Sequence, residues 1–209
     1  MSTNGSILSI EGLNRRFGER EVVRSLDLAL ARGERMALQG ANGSGKTTVL
    51  RCVAGTLTPT SGRVEVGGHP AGALEARRLI GASLSQERSF YLRLTGHANL
   101  LFFARLRYGS ERESAARVGA LEEELEIADI GRQRVDRCSS GMIQQLAIAR
   151  ALLGEPRLLL LDEPTRSLDV EARARLWGAL DRRRDTAVLF ATHLDEDLEH
   201  CDLRLSLPA

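Results

Sequence analysis

The sequence is short of cysteine and of net charge, and both shortages exclude classes of protein. The three cysteines, Cys52, Cys138 and Cys201, lie far apart. They fit neither a disulfide framework nor a metal site shared with the four histidines, so we expect a reducing compartment. The 29 basic and 28 acidic residues leave a formal net charge of +1, so we expect no nucleic acid as a partner.

Long apolar runs are missing as well. No run approaches the roughly 18 residues that a membrane-spanning helix needs. Residues 1–6 also lack the basic and apolar regions of a signal peptide, so we expect a cytoplasmic protein with no membrane span of its own. Hydrophobic residues still make up 43% of the chain, which is enough for a single domain over residues 1–209 with one substantial core.

A glycine-rich loop with the pattern G-x-x-x-x-G-K-T organises the chain. Its residues are Gly40, Ala41, Asn42, Gly43, Ser44, Gly45, Lys46, Thr47 and Thr48. Arg35–Gln39 before it is typical of a short buried strand, and apolar residues at helical spacing follow it, which is the order of a phosphate-binding loop. Lys46 would reach the β- and γ-phosphates, and Thr47 would ligate Mg²⁺. We therefore predict that this whole stretch binds a nucleoside triphosphate.

Two acidic residues follow a run of leucines further along the chain. Residues 158–161 are all leucine, which suits a central strand buried on both faces. Asp162 and Glu163 come next, and two acids at the end of a buried strand are costly unless they have a task. Asp162 can hold Mg²⁺, and Glu163 can take a proton from attacking water. His193 ends a second predicted strand, Thr186–His193, where it is either structural or catalytic.

Three further signals are weak when taken alone. Phe17 lies in a predicted turn, Arg15–Arg20, as either a platform for adenine or a loop aromatic that covers the sheet edge. Gln86 ends a predicted strand and matters only if that strand end faces the phosphates. Ser139 and Gly141 stand at the predicted start of a helix, either as an ordinary N-cap or as a second anion-binding helix start.

The spacing of apolar residues divides the chain into an α/β core and an insertion. Alternating apolar and polar residues between positions 7 and 30 predict an antiparallel β layer. Residues 88–137 show helical spacing and no strand pattern, so we expect a helical lobe inserted between core segments at about 7–87 and 138–207. The acidic run Glu122–Glu124 is expected on the exposed side of this lobe.

Together these motifs resemble those of the ATP-binding cassette (ABC) ATPases over about residues 7–207. The glycine-rich loop looks like the family's Walker A motif, and Leu158–Glu163 looks like Walker B with its adjoining glutamate. Phe17 falls where the family has an aromatic that stacks on adenine, Gln86 where it has its Q-loop, and His193 where it has its switch histidine. The resemblance implies a P-loop NTPase fold with a mostly parallel core sheet, an antiparallel β layer and an inserted helical subdomain.

The signature motif departs from the family's usual Leu-Ser-Gly-Gly-Gln. Ser139 and Gly141 keep the two positions that approach the γ-phosphate in the family, whereas Ser140 and Met142 are substitutions. Two copies dimerise head to tail in the family. The resemblance therefore implies that Ser139 and Gly141 of one copy close the ATP site of the other.

The resemblance also implies a role for each remaining motif residue. The residues so assigned are Lys46, Glu163 and His193 for catalysis, Thr47, Gln86 and Asp162 for Mg²⁺, and Asp169 for signalling across the dimer. The variant signature, together with the segments Pro164–Asp169 and Ser89–Thr95, looks like the branch that serves drug, antibiotic and polysaccharide exporters. We expect a Mg²⁺-dependent ATPase subunit on the cytoplasmic face of the membrane, energising export through a separate transmembrane permease.

Other functions remain open at this point. A soluble ABC ATPase acting on nucleic acid, ribosomes or an assembly factor would share the same motifs, although balanced charge argues against it. A haem-exporter ATPase subunit is a further alternative within the transporter class. A small-molecule phosphotransferase would have no reason to carry both the Ser139–Gly141 element and the Asp162–Glu163 pair.

Overall fold

Two β-sheets flanked by α-helices make up residues 5–84 and 90–208, the part of the chain that the computed structural model describes. The strands are β1 (Ser6–Phe17), β2 (Arg20–Ala31), β3 (Arg35–Gln39), β4 (Ser61–Val66), β5 (His69–Pro70), β6 (Ile80–Ser83), β7 (Leu158–Asp162), β8 (Ala187–Ala191) and β9 (Leu203–Ser206). The α-helices are α1 (Lys46–Val53), α2 (Leu74–Leu79), α3 (Gly96–Tyr108), α4 (Glu111–Glu124), α5 (Ala128–Arg132), α6 (Ser140–Leu152) and α7 (Val170–Asp181). Short 3₁₀-helices at Val135–Arg137 and Asp195–His200 precede α6 and β9.

The larger sheet is parallel, in the order β6-β7-β8-β3-β9. Its central strands β7 and β8 are buried at every residue, as expected of continuous apolar runs that pack on both faces. Successive side chains point to opposite faces, so Leu158 and Leu160 join one core cluster while Leu159 and Leu161 join the other. Because the strands all run the same way, the loops that follow them meet at one edge of the sheet.

The smaller sheet is antiparallel and covers one face of the parallel sheet. Its order is β2-β1-β4-β5. Alternation along β1 turns Leu8 and Ile10 inward, where they share a cluster with Leu160 of β7 and with Val49 and Leu50 of α1. The first helix is therefore held between the two sheets, directly after the glycine-rich loop.

The first hairpin is tighter than the sequence predicts. The sequence predicts a turn over Arg15–Arg20, but Arg15 pairs with Val23 and Arg16 with Glu21 across the ladder. β1 consequently continues to Phe17, and the turn lies within residues 18–19.

Helices α3, α4 and α5 lie between β6 and α6 in the chain and share a core with α6 that includes Leu100 and Leu146. Glu124, the last residue of α4, connects this group of helices to Arg183, which follows the end of α7. Its carboxylate accepts hydrogen bonds from Arg183 Nη1 at 2.6 Å and Nη2 at 2.5 Å. Burial raises the pKa of Glu124, but hydrogen bonds from Arg183 and Arg182 outweigh burial and lower it overall.

The expected exposure of the acidic run Glu122–Glu124 is wrong for two of its three residues. Glu122 is buried, with Oε2 at 2.9 Å from His97 Nδ1, and Glu124 is half-buried against Arg183. Glu123 alone of the three is exposed. Three consecutive helical residues span about 200° around the helix axis, so they do not share one face.

The fold class predicted from the sequence is confirmed. A parallel sheet forms the core, an antiparallel sheet lies on one face, and helices complete the α/β arrangement. Across residues 5–84 and 90–208, every helix is too short or too polar to cross a bilayer.

Candidate active site

A cavity of about 260 Å³ lies at the edge of the parallel sheet where the loops after β3 and β7 meet. Most of its lining belongs to the glycine-rich loop, the start of α1 and the end of β7. The lining residues are Val22, Asn42, Gly43, Gly45, Lys46, Thr47, Thr48, Asp162, Glu163 and Arg166. The cavity thus joins two sequence motifs that lie more than a hundred residues apart, because β3 and β7 run in the same direction on either side of β8.

Two glycines of the loop are required by their surroundings. Gly40 has φ +147°, and a Cβ there would lie 2.5 Å from Ser44 Oγ and 2.9 Å from the Leu207 carbonyl. Gly45 has φ +98°, and a Cβ there would lie 2.8 Å from the Val22 carbonyl. A side chain at either position would meet both backbone strain and a clash, so the loop conformation depends on glycine.

Lys46 lies across the loop with its ammonium group inside. Nζ donates to the Gly40 carbonyl at 2.6 Å and to the Ala41 carbonyl at 3.1 Å. Gly45, which precedes α1, offers no side chain to cap that helix, so the first N–H groups of α1 remain for a ligand. A cation and a helix N-terminus therefore face the same cavity, which is the arrangement that binds phosphate.

The next residue joins the loop to the end of β7. Thr47 Oγ1 donates to Asp162 Oδ2 at 2.7 Å. A hydroxyl and a carboxylate at this distance are a donor set that fits Mg²⁺, which takes oxygen ligands and keeps several waters. No cluster of three histidine, cysteine or acidic residues suited to a metal occurs among the described residues. Gln86, predicted as a further ligand, lies outside the described residues.

Glu163 and His193 form a second pair at the cavity edge. His193 Nδ1 lies 2.6 Å from Glu163 Oε2. The Glu163 side chain is 15% exposed and that of His193 is 46% exposed, so the pair borders on solvent. Glu163 has φ +51°, an uncommon conformation for a residue with a side chain and one that occurs at functional sites.

A buried carboxylate, Asp197, is hydrogen-bonded to residues near both Glu163 and His193. Asp197 is 1% exposed, and it accepts hydrogen bonds from Thr165 Oγ1 at 2.7 Å and from Thr192 Oγ1 at 2.6 Å. Thr165 lies two residues after Glu163, and Thr192 directly precedes His193. A single side chain therefore fixes the backbone beside both members of the pair.

The structure does not bring Ser139 and Gly141 to this cavity within one chain. The Ser139 hydroxyl oxygen accepts the Met142 N–H at 3.2 Å, so Ser139 is the N-cap of α6. A Cβ on Gly141 would lie 2.4 Å from the Ser167 carbonyl, so this position also requires glycine.

Two other predicted residues have visible local roles. Phe17 is 47% exposed and does not line the cavity within the described part of the chain, and Arg15 lies over its ring at 4.4 Å from the centroid. Asp169 caps α7 by accepting the Ala172 N–H at 2.8 Å. Neither contact prevents the predicted role, since Phe17 keeps an exposed side chain and Asp169 remains at the surface.

Sequence reasoning missed Arg166, which lines the cavity together with Asp162 and Glu163. A signal was available, because a basic residue follows three positions after the predicted general base in a short turn. The sequence does not show that this turn directs Arg166 toward the cavity.

Comparisons with known proteins give a family. The family described as ABC transporter matches residues 23–166. The daunorubicin resistance ATP-binding protein DrrA3 of Streptomyces coeruleorubidus is 36% identical over 204 residues, which cover 96% of this chain and 64% of that protein. The Nod factor export ATP-binding protein I of Rhizobium meliloti is 36% identical over 200 residues, covering 93% of this chain and 59% of that protein. The chain thus spans less than two thirds of the length of these relatives.

Solved structures agree with this family. The cbiO1 protein from Clostridium perfringens, part of the ABC transporter complex cbiONQ, has a TM-score of 0.83 at 26% identity, covering 97% of this chain and 85% of that one. The ATP-binding cassette MJ0796, solved as a dimer in a post-hydrolysis state with ADP and Pi, has a TM-score of 0.86 at 24% identity, covering 96% of this chain and 94% of that one. The second likeness shows a shared fold.

Proposed function

Because the chain belongs to the ABC transporter family as an ATP-binding domain, we propose that it hydrolyses ATP with Mg²⁺ and energises export through a separate membrane-spanning partner. The observation that carries the proposal is the single cavity in which Lys46, Thr47 and Asp162 lie beside Glu163. This grouping supports phosphate binding and general-base catalysis in one cavity. The relatives named for drug resistance and for Nod factor export support the direction of transport.

In this function Glu163 accepts the proton of the attacking water. His193 holds the Glu163 carboxylate in place through the 2.6 Å contact and stabilises charge on the γ-phosphate. Lys46 stabilises the same charge, with the loop residues Gly40–Thr48 surrounding the phosphates. Positioning and electrostatics supply the catalysis, because phosphoryl transfer to water needs no covalent intermediate with the protein.

Thr47 and Asp162 would hold Mg²⁺, since their oxygens already meet at 2.7 Å. When bound, the ion neutralises charge on the phosphate oxygens. Gln86 is the proposed third residue of this group, by resemblance to the family.

A second copy of the chain completes the site in this proposal. Ser139 and Gly141 of that copy approach the γ-phosphate head to tail, and Phe17 stacks on the adenine of its own copy. Ser139 is suited to this, because its oxygen accepts the Met142 N–H and its own O–H remains to donate. Asp169, at the N-terminus of α7, signals across the dimer.

An exposed apolar patch on the helical region is the proposed docking site for the membrane-spanning partner. The patch consists of Tyr91, Leu92, Leu94, Phe102 and Leu106, which are between 36% and 71% exposed. The rings of Tyr91 and Phe102 meet edge to face at 5.0 Å, so the patch is continuous there. An exposed apolar patch of this kind favours a protein partner.

The hydrolysis part is tested with Glu163→Gln. Removing the carboxylate is expected to lower ATP turnover at least about a hundredfold while leaving ATP binding within about threefold, since general-base catalysis contributes about 10²–10⁴ in rate. Phosphate release and equilibrium nucleotide binding are measured on the same preparation. Glu123→Gln, an equal change on the exposed face of α4, serves as the control. Turnover by Glu163→Gln within a few-fold of this control would remove the assigned role.

The transport part is tested by pull-down of the tagged protein from gently solubilised native membranes, followed by mass spectrometry. A stoichiometric multi-span membrane protein is expected, and Leu106→Asp should lower its recovery. Leu74→Asp, at an exposed leucine of α2 outside the patch, should not lower its recovery. Recovery with ribosomes or nucleic acid in place of a membrane protein would favour the soluble ABC ATPase instead.

A further inference from the structure

Arg166 is the one charged residue of the cavity whose side chain makes no hydrogen bond or ion pair within the described part of the chain. Lys46 is engaged with two carbonyls of its own loop, Asp162 with Thr47, and Glu163 with His193. The guanidinium group therefore keeps its donors available. The proposed mechanism assigns no ligand to these donors.

The backbone fixes where Arg166 stands. Its N–H reaches the Glu163 carbonyl at 3.4 Å, which closes a turn directly after the positive-φ residue Glu163. Thr165, the preceding residue, is fully buried and held by Asp197. These contacts hold the backbone of Arg166 directly after Glu163, and its exposed side chain lines the same cavity as Glu163.

The chemistry of that wall indicates what Arg166 binds. A guanidinium group binds phosphate through two parallel N–H···O bonds, which is stronger and more directional than a single contact. If Glu163 activates the attacking water, the terminal phosphate lies nearest this wall and the other phosphates lie nearer the loop. Arg166 lines the cavity beside Glu163, so its guanidinium group is suited to contact the terminal phosphate.

We infer that Arg166 binds the γ-phosphate of the nucleotide held by its own chain and makes the cavity select ATP over ADP. The inference rests on the proposed function, since it requires the cavity to hold a nucleoside triphosphate. It adds a phosphate-binding residue and a basis for selectivity to the assignments made from the family motifs.

The test compares ATP and ADP binding to the wild-type chain and to Arg166→Ala, Arg166→Lys and Arg112→Ala. Arg112 is an exposed arginine of α4 outside the cavity, so its variant controls for the loss of one positive charge. Arg166→Ala is expected to weaken ATP binding about tenfold and ADP binding less than about threefold, because one charge-assisted contact is lost with ATP alone. Arg166→Lys should fall between, as lysine keeps the charge and loses the two-point geometry.

Several outcomes would overturn the inference. An ATP affinity within about twofold of Arg112→Ala, or an equal loss for ATP and ADP, would show that Arg166 does not read the terminal phosphate. Unchanged binding with weakened dimerisation would place its contact on the other copy. If Arg166→Ala does not fold by circular dichroism, the same comparison is made with Arg166→Lys, for which ATP binding equal to wild type overturns the inference. Failure of the wild-type chain to bind ATP would instead reject the proposed function.

Discussion

The starts of α1 and α6 look alike in sequence and differ in structure. α1 follows Gly45, which has φ +98° and gives the helix no side-chain cap. α6 follows Ser139, whose hydroxyl oxygen accepts the Met142 N–H and whose own N–H lies 3.5 Å from Met142 Sδ. The first helix start leaves N–H groups without a side-chain cap, whereas the second satisfies part of its own. This difference is consistent with the proposed roles, in which the start of α1 binds the phosphates and the start of α6 approaches them from a second copy.

The largest effect is expected from Gly45→Ala. A Cβ there meets the Val22 carbonyl at 2.8 Å in a left-handed conformation, so we expect a loss of about 1–3 kcal/mol in the free energy of unfolding and no measurable ATP binding. Thermal unfolding and nucleotide titration check both. Gly109 also has a positive φ, +72°, but a Cβ there would meet no atom within 4 Å. Gly109→Ala therefore measures the cost of backbone strain to the free energy of unfolding without a clash. Equal ATP affinity for the two variants would contradict the requirement at Gly45.

A smaller effect is expected from Ser139→Ala. Loss of the N-cap should destabilise the chain by about 1 kcal/mol, leave ATP binding to a single copy unchanged and lower turnover in the dimer about tenfold or more. Ser110→Ala removes the N-cap of α4, whose hydroxyl accepts the Glu113 N–H, and should have the same stability cost with normal turnover. Unfolding curves and phosphate release distinguish the two. Similar turnover in both variants would show that Ser139 only caps α6.

The smallest effect is expected from Met142→Gln. Glutamine at the third helical position completes a capping box more strongly than a thioether, so we expect a gain of a few tenths of a kcal/mol in stability and retained turnover. Met142→Leu, which keeps the size and removes the acceptor, should be slightly less stable than the wild type. Both are read from thermal midpoints and ATPase assays on the same preparations. Complete loss of turnover in Met142→Gln would mean that this helix start is tuned to methionine.

The parts of the fold that could be predicted from the sequence are those in which a local pattern has one physical solution. Four consecutive leucines before Asp162 are compatible with a strand buried on both faces, and the structure divides them between two core clusters. A glycine-rich loop between a buried strand and an apolar helix likewise predicted the β3–α1 connection.

The features that could not be predicted from the sequence depend on contacts between segments that are distant in the chain. Nothing near Glu124 in the sequence reveals its bonds to Arg183, which lies 59 residues further on. Arg166 was missed for the same reason, because the turn is oriented by Asp197, which lies thirty-one residues further on. Local composition identifies the residue types at a site, while long-range packing decides which of them face it.

The Asp197 carboxylate links two separate loops to the same buried side chain. It holds Thr165 and Thr192 at once, so the segments carrying Glu163 and His193 are attached to one buried point. A displacement of the 3₁₀-helix Asp195–His200 would therefore carry both residues together. The distance of the pair from the phosphates would change, but the spacing within the pair would be conserved.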